Sequence, residues 1–362
     1  MTTVAALAAR PKHGTTAVPA LRSVPPVVTL KEIDRLTTVL AAAARGEACL
    51  LRVAQPVALG EASMRGFLLM VRRIRMAFTY AAGRPAVVVH DAVPSSGELE
   101  IGAAPDRVDD SYARSACSTN LLRAMLANGN ALGEASPSVA GHGGGSGSLG
   151  DFLMELERAL RFMTALGPDW PEPSRDVFTS HHTVLLDYER HLLRVDSTEP
   201  RPRLYAGSAH LLRQAPSANH LGRIATGFGG LIANPIDLAF TATALPREVA
   251  RYVDQLDPDR VPGRVVLTCE LSPHSSAARS ASAIEAVVEA INEAGHAPVW
   301  QCDPLTRDPA QEIARAVDGY ATFVDALRRS GAAAGSVVVD VSGVATEQGE
   351  ALAMSLARVL HG

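Results

Sequence analysis

Residues 204–242 read LYAGSAHLLRQAPSANHLGRIATGFGGLIANPIDLAFTA, and the architecture of the whole chain follows from this stretch. Two short apolar runs, 204–210 and 231–240, each end in small and polar residues, and the segment between them is long enough for one helix. Apolar run, polar turn, helix and apolar run in succession describe a βαβ unit in a parallel sheet. Ligands meet such sheets at the carboxyl ends of the strands. Ser208, His210, Asn234 and Asp237 are therefore expected at the mouth of a site.

The same alternation extends in both directions. Further strands are expected at 49–53 (CLLRV), 86–90 (AVVVH), near Val177, and at 264–269, 297–302 and 336–341. Helices are expected at 64–82, 110–128, 151–166, 183–194, 246–256, 281–294, 308–329 and 346–360. Thr29 precedes a stretch with Leu30, Ile33, Leu36 and Leu40 on one face, closed by Gly46, which reads as an amphipathic helix ahead of the first strand. About eight parallel strands with flanking helices point to an α/β fold, a (β/α)8 TIM barrel with an N-terminal helical extension. A doubly wound open sheet is the alternative. Residues 1–27 read as a loose arm before a single domain over 28–362, and 133–149 (GEASPSVAGHGGGSGSL) as a Gly/Ser-rich loop.

Composition narrows the function classes. The 362 residues carry a net charge of −4, with 47% hydrophobic and 20% charged residues. That balance suits a globular protein with a sizeable core and gives no general attraction to nucleic acid or anionic membrane. No apolar run is long enough to span a bilayer, and the N-terminal residues lack the apolar core of a signal peptide. The four cysteines (Cys49, Cys117, Cys269, Cys302) form no CxxC pair, which fits a reducing, cytoplasmic setting without a disulfide framework. Gly145-x-Gly147-x-x-Gly150 is formally a dinucleotide fingerprint, but no strand precedes it, and a flexible loop accounts for it better. His142-Gly143-Gly144-Gly145 resembles an oxyanion loop without the GxSxG elbow that should accompany it.

Several strings occur in a characteristic order: Ser180-His181, Asp187-Tyr188-Glu189, Ser208-Ala209-His210, Ile232-Ala233-Asn234-Pro235, Leu256-Asp257-Pro258, Pro262-Gly263-Arg264 and Val299-Trp300-Gln301-Cys302-Asp303-Pro304. From about Val28 onward the chain resembles the class II (plant-type) 3-deoxy-D-arabino-heptulosonate 7-phosphate (DAHP) synthases, first enzymes of the shikimate pathway of aromatic amino acid biosynthesis. The resemblance implies a (β/α)8 barrel whose N-terminal extension makes oligomer contacts. It also implies a divalent metal and the condensation of phosphoenolpyruvate with erythrose 4-phosphate. By the same resemblance, the helix at 30–44 is expected to serve a dimer contact.

The positions that carry this chemistry in the family differ here. The family's metal-binding Cys, in a GGDCAE string, falls on Pro56, and its His, in CDPMHGN, falls on Thr306. Its Glu falls on Asp340, and the loop with its Asp is deleted after Gln348. Proline and threonine cannot replace thiolate and imidazole as transition-metal ligands, so no metal cofactor is expected. The phosphate-binding arginine of GERTR falls on Ser217, the lysine of VKLGP on Ala239 and the arginine of SRMG on Glu270; the early AKPRS string has no counterpart at 91–96. A phosphate dianion needs positive charge, so phosphoenolpyruvate binding in the family's manner is expected to be lost.

Two readings remain open. In the first, the barrel is an enzyme recruited to a different, metal-independent small-molecule step in specialised (secondary) metabolism. Glu270, His210, His274 and Asp340 are then the candidate catalytic residues, with Glu270 as base or amine ligand and His210 or His274 as proton shuttle. Asp237, Asp303, Asn234, Ser217 and Thr306 are the candidate substrate-binding residues. Taken singly, Asp237 and Asp303 also suit helix caps, and His210 a packed position inherited with the fold. In the second reading the chain is a pseudoenzyme, a regulatory or scaffolding paralogue of a DAHP synthase. A closed polar pocket with Glu270 and Asp340 favours the enzyme, and a mouth filled by Pro56, Leu305 and Ala239 favours the scaffold. A genuine DAHP synthase is the third reading. The unknown substrate is small in each enzymatic case, and neither nucleic acid nor membrane is an expected partner.

Overall fold

Eight parallel strands close into a barrel in the order β1-β10-β9-β8-β7-β6-β3-β2. They are β1 (Cys49–Ala54), β2 (Ala86–Asp91), β3 (Val177–His182), β6 (Leu211–Gln214), β7 (Ile236–Thr241), β8 (Val265–Glu270), β9 (Val299–Asp303) and β10 (Ser336–Asp340). The coordinates are a computed structural model and describe residues 23–54, 61–91, 105–127, 154–155, 157–159, 161–162, 177–183, 186–197, 202–214, 227–271, 276–304, 309–341 and 346–360. The expected Gly/Ser loop at 133–149 lies outside the described residues, as do 1–22 of the expected arm. Val24 to Val27 are held in place. Arg194 donates to the Val24 carbonyl, Tyr112 to that of Pro25, and Val27 N to Gly207 O.

The helices are α1 (Leu30–Ala44), α2 (Glu61–Ala82), α3 (Pro105–Ala127), α4 (Leu186–His191), α5 (Pro246–Leu256), α6 (Ala277–Glu293), α7 (Pro309–Arg329) and α8 (Thr346–Arg358). Their starts follow local chemistry. Thr29 N donates to Glu32 Oε2 at 2.8 Å before α1, Pro246 opens α5 and the Ser276 hydroxyl accepts from Arg279 N at α6. None of the described helices is long and apolar enough to cross a membrane.

The strands are buried on both faces, which explains their unbroken Val/Leu runs. Alternation along each strand separates two cores. Outward-facing Leu51, Val53, Leu267, Cys269, Val337 and Val339 pack on the apolar stripes of the helices, such as Met64, Phe67, Val71, Ile74 and Phe78 of α2. Inward-facing Leu50, Val87, Val89, Phe178, Leu211, Val266 and Val299 fill the amino end of the lumen and meet Leu36, Leu40 and Ala43 of α1. Helix α1 is thus a plug under the barrel. Gly263, in the turn before β8 with φ +73°, allows its close approach: a Cβ there would lie 2.3 Å from the Leu40 carbonyl carbon.

The structure confirms the barrel and corrects the reading of one strand. The run at 204–210 is not a barrel strand. Arg203–Ala206 is β5, antiparallel to β4 (Leu193–Asp196) in a separate two-stranded sheet. The barrel strand is the four-residue β6, in the segment expected to begin a helix, between β3 and β7. Gly207 breaks the run: its N–H donates to Leu192 O, closing the hairpin, and a Cβ there would sit 2.5 Å from Pro26 Cβ. The helix expected over 183–194 shortens to α4 because 193–196 is taken by β4. Likewise β7 starts at Ile236, not at Leu231.

Candidate active site

The carboxyl end of the barrel is charged. Asp91, Glu270, Asp303 and Asp340 are the last residues of β2, β8, β9 and β10. Below them, Arg52 on β1 crosses the lumen to the diametrically opposite strand. Its Nη1 lies 2.8 Å from Asp237 Oδ2 on β7, and its Nη2 lies 3.2 Å from Asp303 Oδ2. Arg213 on β6 places Nη1 3.0 Å from both carboxylate oxygens of Asp91, and Asp91 also accepts from Ser180 at 2.6 Å. Thr268 Oγ1 is 2.5 Å from Asp237 Oδ1 and 3.1 Å from Gln301 Oε1. One hydroxyl carries one proton, and the charged carboxylate takes it. Gln301 Nε2 and Arg52 Nε are buried without a partner among the described residues.

Arg52, His182, Arg213, Gln214, Asp237, Ala239, Thr268 and Glu270 line a cleft with about 250 Å³ of empty space. The closed pocket expected to hold Glu270 together with Asp340 is not what forms: a polar cleft surrounds Glu270 alone of the two. Ala239 is part of its wall, Asp340 is not, and Pro56 and Leu305 lie outside the described residues.

The electrostatics divide the cleft. Burial raises the Glu270 carboxyl pKa, and the negative charges of Asp303 and Asp237 raise it further against the opposing pull of Arg52 and Arg213. Glu270 is in direct register with Asp303 on the neighbouring strand. Asp91 goes the other way. Burial alone would raise it, but Arg213, Arg52 and the Ser180 hydroxyl together hold it below the usual carboxylate value. Burial, with Arg213 and neighbouring His181 adding to it, lowers His182 to about 3. Its ring is neutral at physiological pH. Acids pushed in opposite directions within one cleft are a recurring arrangement for acid–base work.

A consequence for stability follows from Glu270. A carboxyl whose folded pKa exceeds its unfolded value binds more protons in the folded state. Its contribution is fully present below the unfolded value of 4.5 and is lost as pH rises through the raised value. Glu270→Gln is expected to be at least as stable as the native chain at pH 7–8, with its relative gain shrinking towards pH 4. Urea unfolding across that range checks the trend, and a loss of stability at pH 8 would contradict it.

The expected site residues separate into three groups. Glu270 and Asp303 are brought together at the carboxyl end, Asp237 is instead the second residue of β7 and lies below them with Arg52 and Thr268, and Asp340 ends the strand beside β1 and β9. His210, Asn234 and Ser208 lie at the opposite end. Each precedes a strand instead of ending one, because the true strands begin later than the apolar runs suggest. His210 Nδ1 is 2.9 Å from Thr179 N, its ring stands edge-on to Phe178, and burial lowers its pKa to about 3. It is a packed residue. Asn234 accepts from Ala206 N and donates to the carbonyls of Ala206 and Ala209, joining the hairpin to the entry of β6. Ser208 donates to Glu189, whose other oxygen is 2.9 Å from His181 Nε2 in a buried cluster outside the lumen. His274, Ser217 and Thr306 lie outside the described residues.

Sequence reasoning missed Arg52, Arg213, Asp91, His182, Thr268 and Gln301. The signal was present: CLLRVA, LLRQ and VVLTCE each place a polar residue where a doubly buried strand otherwise allows none.

The chain is 28% identical over 376 residues to phospho-2-dehydro-3-deoxyheptonate aldolase AroG of Mycolicibacterium smegmatis, covering 89% of this chain and 79% of that protein. The phospho-2-dehydro-3-deoxyheptonate aldolase of Streptomyces coelicolor is 28% identical over 330 residues, covering 79% and 70% respectively. Among solved structures, the phospho-2-dehydro-3-deoxyheptonate aldolase of Francisella tularensis superposes with a TM-score of 0.51 over 98% of this chain and 100% of that one, at 8% identity. That likeness concerns the fold alone. The family model described as "Class-II DAHP synthetase family" matches residues 97–347, from the approach to α3 through β10, so the barrel and its charged carboxyl end are those of a member of the class-II DAHP synthetase family.

Proposed function

We propose that this member of the family has been recruited to a small-molecule step other than the phosphoenolpyruvate–erythrose 4-phosphate condensation, in specialised metabolism, with Glu270 as the acid–base group. The observation that carries this reading is the state of the lumen arginines. Both are held by carboxylates: Arg52 by Asp237 and Asp303, Arg213 by Asp91. A phosphate group entering the cleft would have to displace these pairs and approach Glu270.

The residues also do not fit the family's divalent metal. Among the described residues, no group of three or more His, Cys, Asp or Glu side chains could hold a metal ion. The barrel thiols Cys269 and Cys302 face the helix layer, away from the lumen. The chemistry is accordingly assigned to side chains. Glu270, whose raised pKa brings it nearer neutrality, takes a proton from a substrate C–H, N–H or O–H group or returns one. Neutral His182 accepts a hydrogen bond, and the Arg52–Asp237–Thr268 network holds the floor of the cleft rigid.

Calorimetric titration of the full chain with Mn²⁺ and with phosphoenolpyruvate, followed by an assay with erythrose 4-phosphate, tests this directly. The expected result is no binding of either and no turnover. Turnover would restore the ordinary synthase reading. Loss of all substrate-screen activity in Glu270→Gln, with folding intact, is the positive counterpart.

A homodimer through the N-terminal extension belongs to the same proposal. Leu30, Ile33, Leu36, Leu40 and Ala43 are buried within the chain, so the contact would use the polar face of α1. A monomeric mass in light scattering would remove it.

A further inference from the structure

We infer that the cleft at the carboxyl end of the barrel binds a small hydroxylated amine, its protonated nitrogen seated on the Glu270 carboxylate. This deepens the acid–base reading of the same cleft and rests on it.

Glu270 is half-buried and in register with Asp303, and no donor among the described residues hydrogen-bonds to it. Like charges side by side on neighbouring strands repel. The cations within reach, Arg52 and Arg213, are already paired with Asp237, Asp303 and Asp91. Four carboxylates (Asp91, Asp237, Glu270, Asp303) therefore stand against two arginines, while His182 is neutral. A ligand ammonium group at Glu270 supplies the missing charge.

A second feature concerns a different atom. Arg52 is 2% exposed and lines the cleft, yet its Nε–H has no acceptor among the described residues. A buried donor left unpaired is unfavourable, and an oxygen of the ligand can accept from it. A carboxylate or phosphate oxygen would do so only by facing Asp237 and Glu270. A hydroxyl or carbonyl oxygen on an amine-bearing molecule meets both requirements. The cleft's empty space, about 250 Å³, includes open solvent, so the ligand is seated at its mouth with only its amine and one oxygen engaged.

The test uses the full chain with glucosamine, glucose and glucose 6-phosphate as probes, read by thermal shift and calorimetry. Glucosamine is expected to bind and raise the melting temperature. Glucose should bind at least about tenfold more weakly, and glucose 6-phosphate not at all. Glu270→Gln should weaken glucosamine about 10- to 100-fold and leave glucose unchanged, whereas Glu248→Gln, on the exposed side of α5, should change neither. Glucosamine affinity should fall with added salt and with falling pH as Glu270, faced by Asp303, Asp237, Arg52 and Arg213, takes up a proton. Salt- and pH-independent binding by the native chain would overturn the proposal even if Glu270→Gln failed to fold. Equal binding of glucose and glucosamine, insensitive to Glu270→Gln, overturns the amine assignment and leaves the acid–base cleft standing. Preference for glucose 6-phosphate overturns both. Silence from all three probes overturns the amine assignment.

Discussion

Arg52→Met is expected to lower the stability of the barrel by about 3–5 kcal/mol, because it strips the counter-ion from carboxylates inside a low-dielectric lumen. Arg52 and Asp237 have side chains only 3% and 2% exposed, and Asp303, at 15%, is little better solvated. Methionine matches much of the arginine stem, so the loss comes from the charge. Asp237 would keep the hydrogen bond from Thr268 and only the longer, 3.8 Å approach of Arg213 Nε. The deficit should therefore be larger at pH 8 than at pH 5. Adding Asp237→Asn to Arg52→Met should recover a substantial part of the loss, since a neutral amide no longer needs the guanidinium. Urea unfolding of the single and double variants measures this. A single-variant cost below about 1 kcal/mol, the range of a surface pair, would show that the lumen is wet enough to solvate these charges.

Gly263→Ala is expected to be at least as damaging, by a steric route. The residue has φ +73°, which for alanine costs about 1–2 kcal/mol by itself. Its Cβ would also lie 2.3 Å from the Leu40 carbonyl carbon, 2.5 Å from Leu40 O and 2.5 Å from Ala41 N, all backbone atoms of α1. No rotamer relieves a backbone clash, so α1 must shift. Leu36 and Leu40, both fully buried, then lose contact with the lumen. Each buried leucine contributes roughly 1.5–3 kcal/mol, and the expected total is about 4 kcal/mol or more, or failure to fold. Gly331→Ala is the matched control: φ is +69° and nothing lies within 4 Å of its Cβ. It should show the conformational cost alone. Equal midpoints for the two variants in thermal unfolding would mean that α1 is not wedged against this turn.

The barrel was legible in the sequence because its strands are buried on both faces and its helices are striped. Val-rich runs such as AVVVHD and SVVVD have no other plausible home. The β6 strand was not legible. LLRQ is four residues long and carries too few positions for any periodicity, while the neighbouring RLYA has a stronger strand signature and is used in the hairpin. That single exchange explains the misplaced residues. Reading 204–210 as a barrel strand puts His210 at a carboxyl end, whereas in the fold it enters the next strand at the opposite end. Glu270 and Asp303 were found because they end longer, unambiguous strands, whereas Asp237, read as near the end of a strand over 231–240, is the second residue of β7 and reaches the cleft from below. Arg52 and Arg213 were missed because their role depends on partners across the ring, a distance that no local pattern encodes.

The plug formed by α1 has a bearing on biosynthesis. The helix is made before any strand, yet its seat includes Val266 on β8, Val299 on β9 and the backbone turn at Gly263. During translation its apolar face therefore has nowhere to dock until most of the chain has left the ribosome. Contacts of such long sequence separation slow folding, and a nascent chain holding an uncovered amphipathic helix is open to chaperone capture or to association with its neighbours. Moving α1 by circular permutation to follow β10 would shorten that wait, and faster refolding of such a permutant would identify docking of the plug as the slow step.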